Sequence, residues 1–213
     1  MADITLRLGE DTPGRRQRRQ AETRERLFRA ALKLFSQRGF IAVTVQQITE
    51  AADVGKGTFF NYFPSKEHTL AALGQLQVSR IAAALAAVES GAQTAGQALR
   101  GLPHQLAEEP GKSPELARSL IVAVHSSAAV RKLMLANLER GRELLGQLIW
   151  VSQETGEIRK DRLALELARQ YQQSFFGALF MWAVDPSLDL QSAIHAGFET
   201  YWNGARRGAE KKL

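Results

Sequence analysis

Cysteine is absent from the 213 residues, which excludes a disulfide framework, a thiolate metal site and a cysteine nucleophile and fits a reducing compartment such as the cytoplasm. Long apolar runs are absent too. The longest, Phe175 to Val184, has ten residues, against the roughly 20 that a membrane span requires, so no membrane partner is expected. The N-terminus carries acids and arginines but no apolar h-region, so no secretory signal is expected there. No stretch alternates with period two for long enough to make a strand, and there is no internal repeat. What is present is apolar content: 45% of the residues, enough to bury a sizeable core in one or two domains.

The net charge is +6, and it is unevenly placed. Residues 1–13 carry net −2, residues 14–66 net +7, and residues 67–213 net +1. An excess confined to one region points to a polyanionic partner for that region. Within it, Arg15, Arg16, Arg18 and Arg19 fall in a segment without apolar periodicity, so residues 1–20 are expected to be a flexible basic arm.

From about Thr23, Leu27, Ala30, Ala31, Leu34 and Phe35 recur at helical spacing and make one apolar stripe, which Gly39 closes. Thr44-Val45-Gln46-Gln47 reads as a capping box opening a short helix over 44–52. A tight turn at Asp53-Val54 leads to a second short helix over 55–62, ended by Pro64. Ser65 is expected to cap a long helix over 66–88. Two short helices joined by a tight turn form a helix-turn-helix candidate, whose second helix enters the DNA major groove. The second helix opens with Gly55-Lys56-Gly57-Thr58. Its small residues and free amides suit close approach to a phosphate or base edge. Thr58 and Asn61 offer hydrogen bonds to bases, and Phe60 offers contact with a thymine methyl. Lys66 is a candidate phosphate contact. The rest of the chain reads as helix near 93–108, 114–126, 129–154, 161–184 and 188–207.

The blocks Leu32–Phe40, Thr44–Ile48 and Val54–Lys66 resemble the DNA-binding domain of TetR/AcrR-type transcriptional regulators over about residues 23–72. The resemblance implies an all-α chain, with an N-terminal three-helix helix-turn-helix domain joined by a long helix to a C-terminal helical ligand-binding and dimerisation domain. The domain division is then 1–20 arm, 21–66 DNA-binding domain and 67–213 sensor and dimer domain. It implies a homodimer on palindromic double-stranded operator DNA, more often a repressor than an activator, released by a small-molecule effector of unknown identity. The DNA contacts it implies come from the four arginines of the arm, from Thr44 and Gln46, and from Gly55, Lys56, Gly57, Thr58, Phe60, Asn61, Tyr62 and Lys66. Four positions depart from the family pattern. Asp53 stands where glycine is usual in the turn and Gly55 where a serine cap is usual. Phe60 replaces a common tyrosine, and Asn61 a common histidine.

In the C-terminal part, the helix at 161–184 is apolar on two sides, and a two-sided helix must be covered on both. The family commonly dimerises through its last two helices. Tyr171, Phe175, Leu179, Ile194, Phe198, Tyr201 and Trp202 are therefore expected at the dimer interface, with small residues at 193, 196 and 197 permitting close approach. His125, Met134, Leu138, Trp150, Phe175 and Phe176 are the expected ligand-pocket residues. Nothing points to catalysis or to a cofactor. The four histidines show no metal spacing, Gly111-Lys112-Ser113 lacks the upstream glycine of a phosphate loop, and Glu108-Glu109 reads as a solvated helix end. The competing reading is a helical enzyme or binding module whose basic N-terminal region holds an anionic ligand; the 44–66 block counts against it.

Overall fold

The structure, a computed structural model, describes residues 14–206. Among them are nine α-helices: α1 (Arg15–Arg38), α2 (Val45–Ala51), α3 (Lys56–Tyr62), α4 (Lys66–Glu89), α5 (Ala95–Ala107), α6 (Pro114–Ser126), α7 (Ala128–Glu154), α8 (Ala164–Val184) and α9 (Leu190–Ala205). A single 3-10 turn, Pro110–Lys112, precedes α6, and the described residues form no strand beyond one isolated bridge between Ile158 and Arg206. The chain is all-α, as its patterning implies.

The largest difference from expectation is at the start. Arg15 to Gln20 belong to α1, which runs unbroken to Arg38, so this part of the basic segment is an exposed extension of a helix rather than a flexible arm. Residues 1–13 of that segment lie outside the described residues. Periodicity cannot find such an extension because none of its side chains is buried. Arg, Gln, Ala and Glu are nonetheless strong helix formers, and they propagate a helix already nucleated by the packed stripe of Leu27, Ala31, Leu34 and Phe35. Gly39 ends α1 at φ +75°, donating its N–H to the Phe35 carbonyl.

The signals around the helix-turn-helix match the geometry. The Thr44 hydroxyl accepts from the Gln47 N–H at 3.3 Å, and the Gln47 carboxamide accepts from the Thr44 N–H at 2.9 Å. Asp53 takes the left-handed turn conformation at φ +51°, one of the few side chains that tolerate it. Ser65 differs from expectation. Its hydroxyl makes no cap bond to α4 and instead lies 3.0 Å from His68 Nδ1.

Two apolar cores form. The N-terminal core gathers Leu27, Phe35, Ile48, Phe59 and Phe63 and extends to Leu70 and Leu73 of α4. It also takes Leu116 and Ala123 from α6 and Val130 from α7, so it is not closed at residue 66. The C-terminal core is built from α4, α5 and α7–α9. Helix α4 packs along α7 and joins the two cores. By length and composition it is the one described helix that could cross a membrane.

Inside the C-terminal core, α5 contains Pro103. Proline has no N–H, so the Leu99 carbonyl one turn earlier loses its helical donor. The buried Tyr171 hydroxyl fills the gap, donating to that carbonyl at 2.7 Å. Burial pushes the Tyr171 phenol well up, keeping the donor proton in place. Tyr171→Phe should therefore cost about 1–3 kcal/mol, the penalty of a buried unmet carbonyl. Pro103→Ala, which restores the N–H, should recover part of that loss in the double variant. Denaturant melts of the four proteins check this, and strictly additive losses would disprove the pairing.

Candidate nucleic-acid interface and effector chamber

Helix α3 buries only Phe59. Gly55, Lys56, Gly57, Phe60 and Asn61 are exposed, Thr58 and Tyr62 half-buried, and Thr44 and Gln46 of the α2 start exposed beside them. Phe60 keeps 48% of its surface accessible while its ring edge rests on Phe59. An exposed phenylalanine is unusual unless something outside covers it. The glycines have no internal explanation. A Cβ at Gly57 would meet nothing within 4 Å, and neither Gly55 nor Gly57 has a positive φ. Glycine in a helix costs about 1 kcal/mol relative to alanine, and no contact within the molecule requires it here.

The four arginines at 15, 16, 18 and 19 are all exposed on the first turns of α1, where Arg18 pairs weakly with Glu22 at 3.9 Å. Lys66 is different. Its ammonium donates to the carbonyls of Phe40 at 3.0 Å, Ile41 at 3.3 Å and Val43 at 2.9 Å, and lies 4.6 Å from the Phe40 ring centre. Each ammonium proton is engaged in bolting the α1–α2 connection to α4, so the expected phosphate contact by Lys66 is corrected to an internal role. The sequence could not show this, because the partners are backbone atoms more than twenty residues away.

The pocket residues divide. His125, Met134, Leu138 and Phe176 come together with Leu120, Ile121 and Phe180 around an apolar chamber of about 260 Å³ between α6, α7 and α8. Phe175 lies behind it, beside a smaller cavity of about 30 Å³ between α4, α7 and α8. Trp150 does not belong to either; it is 59% exposed on the outer face of α7. Its helical position fitted an inward face, but α7 is covered on one side only at that point.

The expected dimer residues are also corrected. Tyr171, Phe175, Leu179, Ile194, Phe198 and Trp202 are buried within the chain, where they stack α8 on α9 and both on the core. The unpaired faces carry other residues. Gln170, Ser174 and Tyr201 border an open groove with Ala196, Gly197, Thr200 and Gly204, and Met181 and Val184 stand exposed on α8. The Tyr201 hydroxyl is buried without a hydrogen-bond partner among the described residues.

One important residue was misread. Glu109, expected in a solvated helix end, is 4% exposed. Its carboxylate accepts from Arg29 of α1 at 2.7 Å and from Lys112 at 2.8 Å, while Arg29 also donates to Glu25 at 2.6 Å. Burial alone would raise the Glu109 pKa. The Lys112 hydrogen bond and the charges of Arg29 and Lys112 outweigh it and hold the carboxyl below its ordinary value. Nearby, the buried Ser119 hydroxyl of α6 donates to the Phe35 carbonyl of α1 at 3.1 Å. These are the polar ties between the two parts of the molecule.

The arrangement is a helix-turn-helix unit of the DNA-binding type attached to an all-helical C-terminal bundle. Residues 27–73 match the family model described as bacterial regulatory proteins, tetR family. The transcriptional regulator TcmR of Streptomyces glaucescens is 51% identical over 55 residues, 26% of this chain and 24% of that protein. The transcriptional repressor KstR of Rhodococcus jostii is 42% identical over 62 residues, 29% of each. The chain thus aligns with only about a quarter of the length of these curated relatives. Among solved structures, the TetR-family repressor FadR of Thermus thermophilus, in complex with lauroyl-CoA, matches at a TM-score of 0.64 and 28% identity over 89% of this chain and 99% of that one. Residues 27–73 thus match the DNA-binding domain of the TetR family, and the likeness to FadR extends over most of the chain.

Lys66→Ala should lower stability by about 1–3 kcal/mol, since it removes charge-assisted hydrogen bonds to carbonyls of which two are partly buried, whereas Lys56→Ala should leave it within about 0.5 kcal/mol. Chemical denaturation distinguishes them; equal melts would return Lys66 to the surface. For Glu109, the folded carboxyl is held low, so its stabilising contribution is complete at neutral pH. The contribution begins to fade near the unreacted value of 4.5 and disappears as pH falls through the lowered folded value. Glu109→Gln should cost about 1–2 kcal/mol at pH 7 and close the gap to wild type on acidification. A gap that does not narrow as the pH is lowered below 4.5 would contradict the charge-based account.

Proposed function

We propose that this chain is a cytoplasmic, ligand-controlled transcriptional repressor rather than an enzyme. It acts as a homodimer on palindromic operator DNA and lets go when an apolar small molecule occupies the α6–α7–α8 chamber. The reading head is the exposed face of α3 with the start of α2, and the first turns of α1 run along the phosphates. The observation that carries this reading is the double duty of α6. One side supplies Ala117, Ile121 and His125 to the chamber, and the other supplies Leu116, Ser119 and Ala123 to the packing against the head. Whatever fills the chamber acts on a helix that the head rests on. The complex of FadR with lauroyl-CoA, whose acyl chain is hydrocarbon, supports an effector that presents a hydrocarbon part to the chamber.

The dimer reading is supported by the groove between α8 and α9. Its small residues admit a second pair of helices, and Met181 and Val184 stand exposed on α8. A second copy of the same surface would cover both, as a two-fold interface does.

The test is fluorescence anisotropy with DNA from upstream of the protein's own gene at two salt concentrations. Wild type should bind specifically. Lys56→Ala should weaken binding and reduce the log–log salt slope by about 0.9, one phosphate contact. Gly57→Ala should weaken binding while the fold keeps or gains stability, because its methyl group meets DNA and nothing else. Absence of any sequence-specific binding would overturn the proposal, and full binding by Gly57→Ala would remove α3 from the interface.

A further inference from the structure

Met134, Leu138 and Phe176 line both the large chamber and the small recess beside it and so form the partition between those two spaces. The partition is made of side chains, one of them a flexible methionine, not of backbone. On its outer side lies the large chamber, with room for about nine water-sized groups at roughly 30 Å³ each. On its inner side lies the recess of about 30 Å³, the share of a single water or hydroxyl.

Gln77 and Asn137 line the recess, and each amide nitrogen gives one of its two protons to a carbonyl, that of Leu106 at 3.2 Å and of Ala71 at 3.3 Å. Their side-chain oxygens accept nothing among the described residues. Gln172, also at the recess, is engaged at both ends, donating to the Leu138 carbonyl and accepting from Arg142 Nε. Tyr171 gives its proton to Leu99. At the mouth of the large chamber, His125 Nδ1 lies 2.8 Å from the Ile121 carbonyl and must donate to it, which leaves Nε2 as an acceptor in the neutral ring. No Lys, Arg, Asp or Glu lines either space. A carboxylate there would find only spare amide protons and no cation to offset its lost hydration. An ammonium would find no anion.

We propose that the effector is an uncharged, mostly hydrocarbon molecule with a hydrogen-bond-donating hydroxyl at one end. The hydrocarbon fills the large chamber and the hydroxyl passes the Met134–Phe176 partition to reach Gln77 and Asn137. This rests on the reading of the chamber as the effector site and names the chemistry it selects. Because Gln77 lies on α4, the helix continuous with the DNA-binding head, the hydroxyl end is the part of the ligand that touches that helix.

The experiment is isothermal titration calorimetry of the full chain at pH 8 with 1-nonanol, nonanoate and nonylammonium. 1-Nonanol should bind at least tenfold tighter than either ion. Shortening the alcohol should weaken binding about fourfold per methylene removed, the factor for one buried CH₂. Gln77→Met, which keeps the side-chain length and removes the acceptor, should erase the preference of alcohol over ions; its melt checks the fold. Ala117→Trp, which fills the large chamber, should abolish binding. If nonanoate or nonylammonium binds as tightly as nonanol and Ala117→Trp abolishes it, the effector chemistry is wrong and the chamber stands. Binding that survives Ala117→Trp, or no binding by any of the three, overturns both.

Discussion

Helix α6 turns one side to the helix-turn-helix core and the other to the apolar chamber between α6, α7 and α8, and buried polar ties hold it and the turn before it to α1. Ser119 gives its hydroxyl proton to the Phe35 carbonyl, and Glu109 holds Arg29 and Lys112. Around these ties Leu116 and Ala123 complete the head's own core. The N-terminal core is therefore incomplete without α6 lying against it. Interiors are close-packed and repack between discrete arrangements rather than deforming smoothly, so a shift of α6 must reach α1.

The same demand, that a buried polar group be met, explains several residues that the sequence presents as functional. Lys66 satisfies three loop carbonyls, Tyr171 replaces the N–H that Pro103 lacks, and Glu109 is neutralised by two cations. Once these are assigned to structure, the polar groups left over stand out. They are the exposed face of α3, the buried and unmatched hydroxyls of Ser152 and Tyr201, and the acceptor oxygens of Gln77 and Asn137. Of these, the α3 face and the two amide oxygens border space that another molecule can enter.

Much of the fold was legible. The capping box at Thr44, the left-handed Asp53 and the prolines and glycines between helices are local devices, and local devices leave local marks in sequence. The sites were legible in part. His125, Met134, Leu138 and Phe176 do meet around one chamber, and most of the reading-helix residues are exposed. The extension of α1 was hidden because an unpacked helix has no periodicity. Trp150, Lys66 and Glu109 were misassigned because each fate depends on a neighbour distant in sequence: an uncovered face, a loop of carbonyls, an arginine eighty residues away.

What the sequence by itself determined is the helical class, the order of the helices, the helix-turn-helix and the concentration of positive charge on it, since these follow from spacing, capping and composition along the chain. Only the tertiary structure decided which side of each two-sided helix is inside. For α8 and α9 it put Tyr171, Phe175, Phe198 and Trp202 into the core and left Ala196, Gly197 and Gly204 bordering an open groove. A helical period shows that a helix has two apolar faces but not which neighbour covers each, because that is settled by how helices from the whole chain share the same limited interior.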